Sequence, residues 1–328
     1  MSDDLGIDVP GELSQALGLV EESLEAAAQS EVALVEEVAK TTLRAGGKRI
    51  RPALTLVSAL ACNPHADINR IAKLGACLEM VHMATLIHDD VIDGSATRRG
   101  RPTAKALVGV EAAVLSGDVL LAKAMNILAQ DGDIEVIRMV SEAVVALAEG
   151  ETLEIQVRGR FDLGEEELDH VVELKTAALL RACCRVGAFT AWAPQPHFDA
   201  LTEFGASIGR AFQFVDDILD YVGDPSRTGK VVGQDFREGQ ATMPLILYRQ
   251  NAGPEEVSWA HGLFGQDPSD DEIAKLVDQM VSIGCIEGAR RHADRELDTA
   301  IAALDRLPES PCRDLLRTLA LALARREG

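Results

Sequence analysis

A chain of 328 residues has room for one large or two ordinary domains and for a substantial buried core. Alanine and leucine abound while aromatic residues reach only 4%, a composition that favours helix packed on helix, so an all-α fold is expected. The formal net charge of −21, from 32 basic and 53 acidic residues, argues against nucleic acid or an anionic membrane as a partner.

The first residues, Met-Ser-Asp-Asp-Leu-Gly-Ile-Asp, are acidic and lack the charged-then-apolar layout of a signal peptide. No apolar run reaches about 18 residues, so no stable membrane insertion is expected. Cys62, Cys77, Cys183, Cys184, Cys285 and Cys312 show no Cys-x-x-Cys spacing and read as reduced thiols of a cytoplasmic protein. Residues 11 to 43 form one or two amphipathic helices whose apolar side includes Leu13, Leu17, Val20, Leu24, Val35 and Val38. Then comes Arg44-Ala-Gly-Gly-Lys-Arg-Ile-Arg-Pro52, where two glycines expose backbone N–H groups and Lys48, Arg49 and Arg51 bring three cations to a helix start. That is an anion site in composition, although a Gly-Gly turn among surface cations is common.

Residues 53 to 87 continue helically apart from a turn at Asn63-Pro-His65, and lead into Leu86-Ile-His-Asp-Asp-Val-Ile-Asp93. At about 100° per residue, the carboxylates of Asp89 and Asp93 lie within roughly 40° of each other, one turn apart, with Asp90 about 100° round. Three like charges at the end of an apolar helix raise one another's pKa unless a hard divalent cation joins them, and oxygen ligands with room for water and phosphate suit Mg²⁺. Arg98, Arg99 and Arg101 follow, and guanidinium forks suit phosphate oxygens. Alone, such a run reads equally well as a solvated acidic helix end answered by a basic loop. A second copy, Asp216, Asp217 and Asp220 in Phe212-Gln-Phe-Val-Asp-Asp-Ile-Leu-Asp-Tyr221, shifts the balance toward metal-bridged phosphate binding.

Between the clusters, residues 125 to 190 read as two helices around Asp162-Leu-Gly-Glu-Glu-Glu-Leu-Asp169, with Asp162 as a cap. Ala193-Pro-Gln-Pro196 is a loop, and Gly223-Asp-Pro-Ser-Arg-Thr-Gly-Lys230 is turn-rich. Past Asn251-Ala-Gly-Pro254 the chain becomes amphipathic helices with a loop at Gln266-Asp-Pro-Ser-Asp270, and no chemistry is legible there.

In this order, Gly46-Gly-Lys-Arg-Ile-Arg-Pro52, Glu79-Met-Val-His82, the first aspartate motif, Arg98-Arg-Gly100, Gly117-Asp118, Glu149-Gly-Glu151, Lys175-Thr176, the second aspartate motif, Gly229-Lys-Val-Val-Gly-Gln-Asp235 and Arg237-Glu-Gly239 resemble the trans-isoprenyl (polyprenyl) diphosphate synthase family. The likeness spans roughly residues 40 to 250, leaving 251 to 328 as C-terminal helices of one domain. It implies a single large helical bundle with a central cavity and a homodimeric prenyltransferase that condenses an allylic diphosphate with isopentenyl diphosphate. By that resemblance Asp89, Asp90, Asp93, Asp216, Asp217 and Asp220 hold several Mg²⁺ ions against the allylic diphosphate. Arg98, Lys175, Thr176, Gln213 and Lys230 contact the same diphosphate, while Lys48, Arg51, His82 and Arg99 bind isopentenyl diphosphate. Glu154 stands where the family often has glutamine, and Gln240 where it often has lysine.

Product length turns on size. Ala84 and Thr85 lie five and four residues before Asp89, about 6 to 7.5 Å down the helix, where members resembling short-chain synthases often carry a bulky side chain. Small residues there point to a medium or long product, with Val114, Val119, Leu120 and Met125 as candidates for a deeper floor. The alternatives are a farnesyl or geranylgeranyl diphosphate synthase, a class I terpene cyclase, against which the second all-aspartate motif argues, and a non-catalytic subunit of a heteromeric synthase, which typically lacks an aspartate cluster.

Overall fold

The computed structural model describes residues 11–44, 47–98, 100–223 and 231–325. As expected they are overwhelmingly helical. The only strands among them are two residues each, β1 (Thr97–Arg98) and β2 (Arg101–Pro102), which pair antiparallel and turn the chain at the end of the first aspartate motif. The chain gathers into two compact units, the first built from Met1–Val144, Ala182–Thr202 and Arg306–Thr318, the second from Val145–Arg181, Glu203–Asp305 and Leu319–Gly328.

In the first unit, α1 (Gly11–Ala28), α2 (Ala33–Arg44), α3 (Ile50–Cys62) and α4 (Ile68–Ile92) are followed by the short α5 (Ala104–Val108) and by α6 (Val110–Asp131). Helix α3 is buried on all sides from Pro52 to Ala61, which its unbroken run of small and apolar residues permits, and Pro52 falls in the first turn where its missing N–H costs nothing. Helix α4 packs along α6, α3 and α1. It starts at Asp67, whose side chain accepts from the N–H groups of Asn69 and Arg70, and it delivers the aspartates at its other end. Its first turn is tied down by Arg70, which donates to both carboxylate oxygens of Asp131 at 2.7 and 2.8 Å and to Asp133 at 3.1 Å. Lys123 on α6 donates to the carbonyls of Ala27 and Gln29, satisfying the end of α1.

By length and composition α6 is apolar enough to cross a membrane, contrary to the expectation that no segment would be, although the core helix of a bundle passes the same test. Charged residues within it, Glu111, Asp118 and Lys123, interrupt the run in sequence without lowering its average. Only a third of its most apolar stretch is buried, and Val110 and Leu115 stand exposed.

The second unit holds the later part of α7 (Ile134–Val157), then α8 (Glu165–Val172), a π-helical turn (Glu173–Ala177) and the start of α9 (Ala178–Thr190). Most of α10 (Gln195–Val222) follows, with α11 (Gln234–Arg237), α12 (Met243–Asn251), α13 (Pro254–Leu263), α14 (Asp270–Ser282) and α15 (Cys285–Leu304). The chain ends in α16 (Pro311–Ala324). The few aromatic residues are concentrated in this unit's core, where Phe264 meets Phe161 and Phe236 edge to face. Helix α8 is capped at Gly164, whose N–H donates to Glu167, and not at Asp162. Asp162 pairs instead with Arg160 in solvent, because the chain between them turns before the helix begins. Ser269 caps α14 in a reciprocal pair with Glu272, at the end of the Gln266–Asp270 loop.

Removing Arg70 leaves Asp131 with its charge uncompensated. The hydrogen bond from Arg70, opposed by partial burial, holds the Asp131 carboxyl below its ordinary range, so the pair stabilises above about pH 4 and the contribution is lost as pH falls further. Arg70→Ala is therefore expected to cost about 1–2 kcal/mol at pH 7 and much less near pH 3, read by urea unfolding at the two pH values.

Candidate active site

In the first unit, the end of α4 presents its three aspartates in graded exposure: Asp90 is buried, Asp89 half-buried and Asp93 exposed. The N–H of Asp93 donates to the carbonyl of Asp89 at 2.8 Å, so these two stand one helical turn apart, as their spacing requires. Burial pushes the Asp90 carboxyl up and the neighbouring Asp93 adds to it, while Arg98, donating from Nε at 2.9 Å, only partly offsets them. Arg98 closes β1, where it stands opposite Arg101 of β2.

Immediately before Asp89, His88 reaches α6, with Nε2 3.2 Å from the carbonyl of Val114 and 3.4 Å from Asp118. Helices α4 and α6 meet closely at Gly117, where an added Cβ would stand 2.3 Å from His88 Nε2. Gly117-Asp118 thus supports the residue beside the metal-type cluster, a helix-pairing role for Asp118.

The Gly-Gly loop resolves its three cations. Arg49 adopts left-handed backbone geometry at φ 48° and turns inward, donating to Glu21 at 2.6 Å, to the buried Glu79 at 3.3 Å and to the carbonyl of Leu43. Burial works against the guanidinium charge there, and the two glutamates more than offset it. Lys48 and Arg51 flank this pinned residue, and both, like His82 on α4, are half-buried.

In the second unit, α10 ends in Asp216, Asp217 and Asp220, the last two buried. Thr176 donates to Gln213 Oε1 at 2.7 Å, and Gln213 Nε2 donates in turn to Asp217 Oδ1 at 2.9 Å, a relay that fixes the amide and aims the carboxylate. The other oxygen, Asp217 Oδ2, is buried with no hydrogen-bond partner among the described residues. Its burial, then Asp235, Asp216 and Glu154, push this carboxyl well up despite the Gln213 hydrogen bond. Asp220 accepts the backbone N–H of Asp235 at 3.2 Å, which draws the Gly-Gln-Asp segment onto the cluster.

Lys175 and Thr176 lie on the π-helical turn, a single wide turn of the kind frequent at functional sites. Helix α7 reaches it at Gly150, where a Cβ would stand 2.6 Å from the Lys175 nitrogen, so no other residue fits. Lys175 Nζ meets two carboxylates from that helix, Glu151 at 3.0 Å and Glu154. Burial alone would lower its pKa, but the two glutamates carry it above the ordinary lysine range.

Asp235, Glu151 and Glu154 belong to this site although the sequence reading assigned them no role there. Arg99 and Lys230 lie outside the described residues. Among the described residues no three His, Cys, Asp or Glu side chains form a ready-made metal cage. Mg²⁺ uses one or two carboxylates with water and substrate phosphates, and a buried carboxylate oxygen without a partner, such as Asp217 Oδ2, suits it.

Two aspartate clusters on an all-helical frame, one beside a guanidinium and one beside an amide, are features of a prenyltransferase. The polyprenyl synthetase profile matches residues 32–280, and the chain belongs to that family. Heptaprenyl diphosphate synthase component 2 of Geobacillus stearothermophilus is 38% identical over 315 residues, covering 96% of this chain and 97% of the relative. A solved decaprenyl diphosphate synthase from Rhodobacter capsulatus matches with a TM-score of 0.91 at 35% identity, covering 99% of this chain and 98% of that one. A polyprenyl synthase from Caulobacter crescentus, complexed with calcium and isoprenyl diphosphate, matches with a TM-score of 0.89 at 33% identity over 95% of each chain.

In the metal-free protein the raised Asp217 carboxyl favours folding when protonated, at low pH, and opposes it as pH rises toward neutrality. Asp217→Asn is expected to stabilise the metal-free fold by about 1–2 kcal/mol at pH 7 while cutting turnover at least about 100-fold. Thermal unfolding in EDTA and a prenyl transfer assay check the two halves.

Proposed function

We propose that this prenyltransferase uses Mg²⁺ to lengthen an allylic diphosphate by repeated trans, head-to-tail condensation with isopentenyl diphosphate, giving a medium or long polyprenyl diphosphate. The observation that carries the reading is Asp217: a buried carboxylate, aimed by Gln213 and Thr176, with one oxygen that finds no hydrogen-bond partner among the described residues. Asp89, Asp90, Asp93, Asp216, Asp217 and Asp220 are the residues that would hold Mg²⁺. Bound there, it would neutralise charge building on the leaving diphosphate and so lower the barrier to C–O cleavage. The calcium and isoprenyl diphosphate bound by the Caulobacter relative support this assignment.

The protein's own groups bind and orient. Lys175, Thr176 and Gln213, with Arg98 and Lys230, serve the allylic diphosphate; Lys48, Arg51, His82 and Arg99 serve that of isopentenyl diphosphate. As the allylic C–O bond breaks, its electron pair leaves with the diphosphate. The isopentenyl double bond then attacks the allylic cation, forming the new C–C bond, and the proton lost from the adduct passes to the released diphosphate.

Below the first cluster Ala84 is buried and Thr85 half-buried, its hydroxyl donating to the carbonyl of His82 at 2.9 Å. A small, effectively apolar wall at this level lets a chain grow past it. The heptaprenyl and decaprenyl names of the relatives agree with that length. A homodimer accounts for the exposed apolar side chains Leu107, Val110, Leu115 and Ile134, with Leu115 62% exposed. A cytoplasmic location is consistent with six cysteines that form no disulfide among the described residues.

A second reading follows from the word "component" in the name of the Geobacillus relative: the chain as one part of a heteromeric synthase. Purified protein with Mg²⁺, farnesyl diphosphate and labelled isopentenyl diphosphate decides. Products well beyond twenty carbons are expected, none in excess EDTA, and products shortened to about fifteen or twenty carbons by Ala84→Phe. Products ending at fifteen or twenty carbons in the parent enzyme would mean a short-chain synthase, and no incorporation would favour the partnered one.

A further inference from the structure

We propose that Glu154 is a positioning residue that restrains Lys175 and thereby weakens the grip of the allylic site on diphosphate; this rests on the reading that Lys175 contacts that diphosphate. Glu151 and Glu154 stand at i and i+3 on α7, on one face of the helix, so both reach the same ammonium. One carboxylate would neutralise Lys175. The second, Glu154, adds to the field on Asp217, where Asp235 and Asp216 already crowd the carboxylate. All three side chains are more than two-thirds buried, 29% exposed for Lys175 and 14 and 15% for the glutamates, so water screens the pairing weakly.

Glu154 is therefore not needed to balance Lys175, and its carboxylate competes with any phosphate that approaches the ammonium. Repeated condensation gives such competition a use. After every addition the inorganic diphosphate has to leave before the lengthened chain takes its place, and a lysine that returns to Glu154 assists that exchange. A glutamine at this position would hold Lys175 by its amide oxygen without opposing the anion's charge.

The test compares Glu154→Gln, Glu154→Asp and Lys175→Gln in the full-length enzyme at fixed Mg²⁺. Its readouts are the KM for farnesyl diphosphate, the KM for isopentenyl diphosphate and the calorimetric Kd for inorganic pyrophosphate. Glu154→Gln is expected to lower the farnesyl diphosphate KM and the pyrophosphate Kd by about 5–10-fold, the size of one charge-assisted hydrogen bond discounted for partial exposure. The isopentenyl diphosphate KM should stay within about twofold, and Glu154→Asp, which keeps the charge, should stay near the parent in all three. A purely structural Glu154 would instead lower kcat and disturb both KM values together. If Lys175→Gln weakens pyrophosphate binding while Glu154→Gln leaves it unchanged or weaker, the restraint on Lys175 is refuted and the site assignment stands. If Lys175→Gln leaves pyrophosphate binding unchanged, the assignment of Lys175 fails and the proposal with it.

Discussion

The second unit depends on a conflict of charge: carboxylates crowd one another in a largely buried place. Asp217 is buried among Asp216, Asp235 and Glu154, with one oxygen hydrogen-bonded to Gln213 and the other without a hydrogen-bond partner among the described residues. Taking an ionised carboxylate out of water costs several kcal/mol unless something of opposite charge meets it. The surrounding fold bears that cost through ordinary means, an aromatic and aliphatic core and close helix contacts such as Gly150 against the π-helical turn. Stability is lost locally so that a ligand finds its partners already oriented.

The first unit shows a milder form of the same arrangement. Asp90 is buried but has Arg98, Asp89 is half in solvent and Asp93 fully so. The graded exposure along one helix end follows from the i, i+1, i+4 spacing, and the inward-facing residue is the one given a guanidinium. The cations of the Gly-Gly loop divide in a similar way, with Arg49 spent on Glu21 and Glu79 while Lys48 and Arg51 flank it.

Much of this was legible before the structure. Helical periodicity and the repeated aspartate spacing located both clusters, and the order of the motifs identified the family. What stayed hidden depends on contacts distant in sequence. That Arg49 and not Lys48 turns inward is decided by Glu21 and Glu79, about thirty residues away in either direction. That Lys175 lies between two glutamates depends on a π-helical turn meeting α7 at a glycine, and no local pattern announces such a turn. Asp162 offered a plausible cap but Gly164 serves, because the cap is set by where the chain turns rather than by the best capping side chain nearby. The apolar character of α6 was missed because isolated charges break the run in sequence while leaving the helix as a whole apolar.

The most direct measurement is the melting temperature of the protein with Mg²⁺ alone, with inorganic pyrophosphate alone and with both. Carboxylates in excess repel the anion until a cation joins them, so pyrophosphate alone should leave the melting temperature unchanged, Mg²⁺ alone should raise it slightly, and the two together should raise it by clearly more than the sum. Equal stabilisation by pyrophosphate with and without Mg²⁺ would contradict the account, because it would mean that the protein's own cations suffice and that the buried carboxylates are not metal ligands.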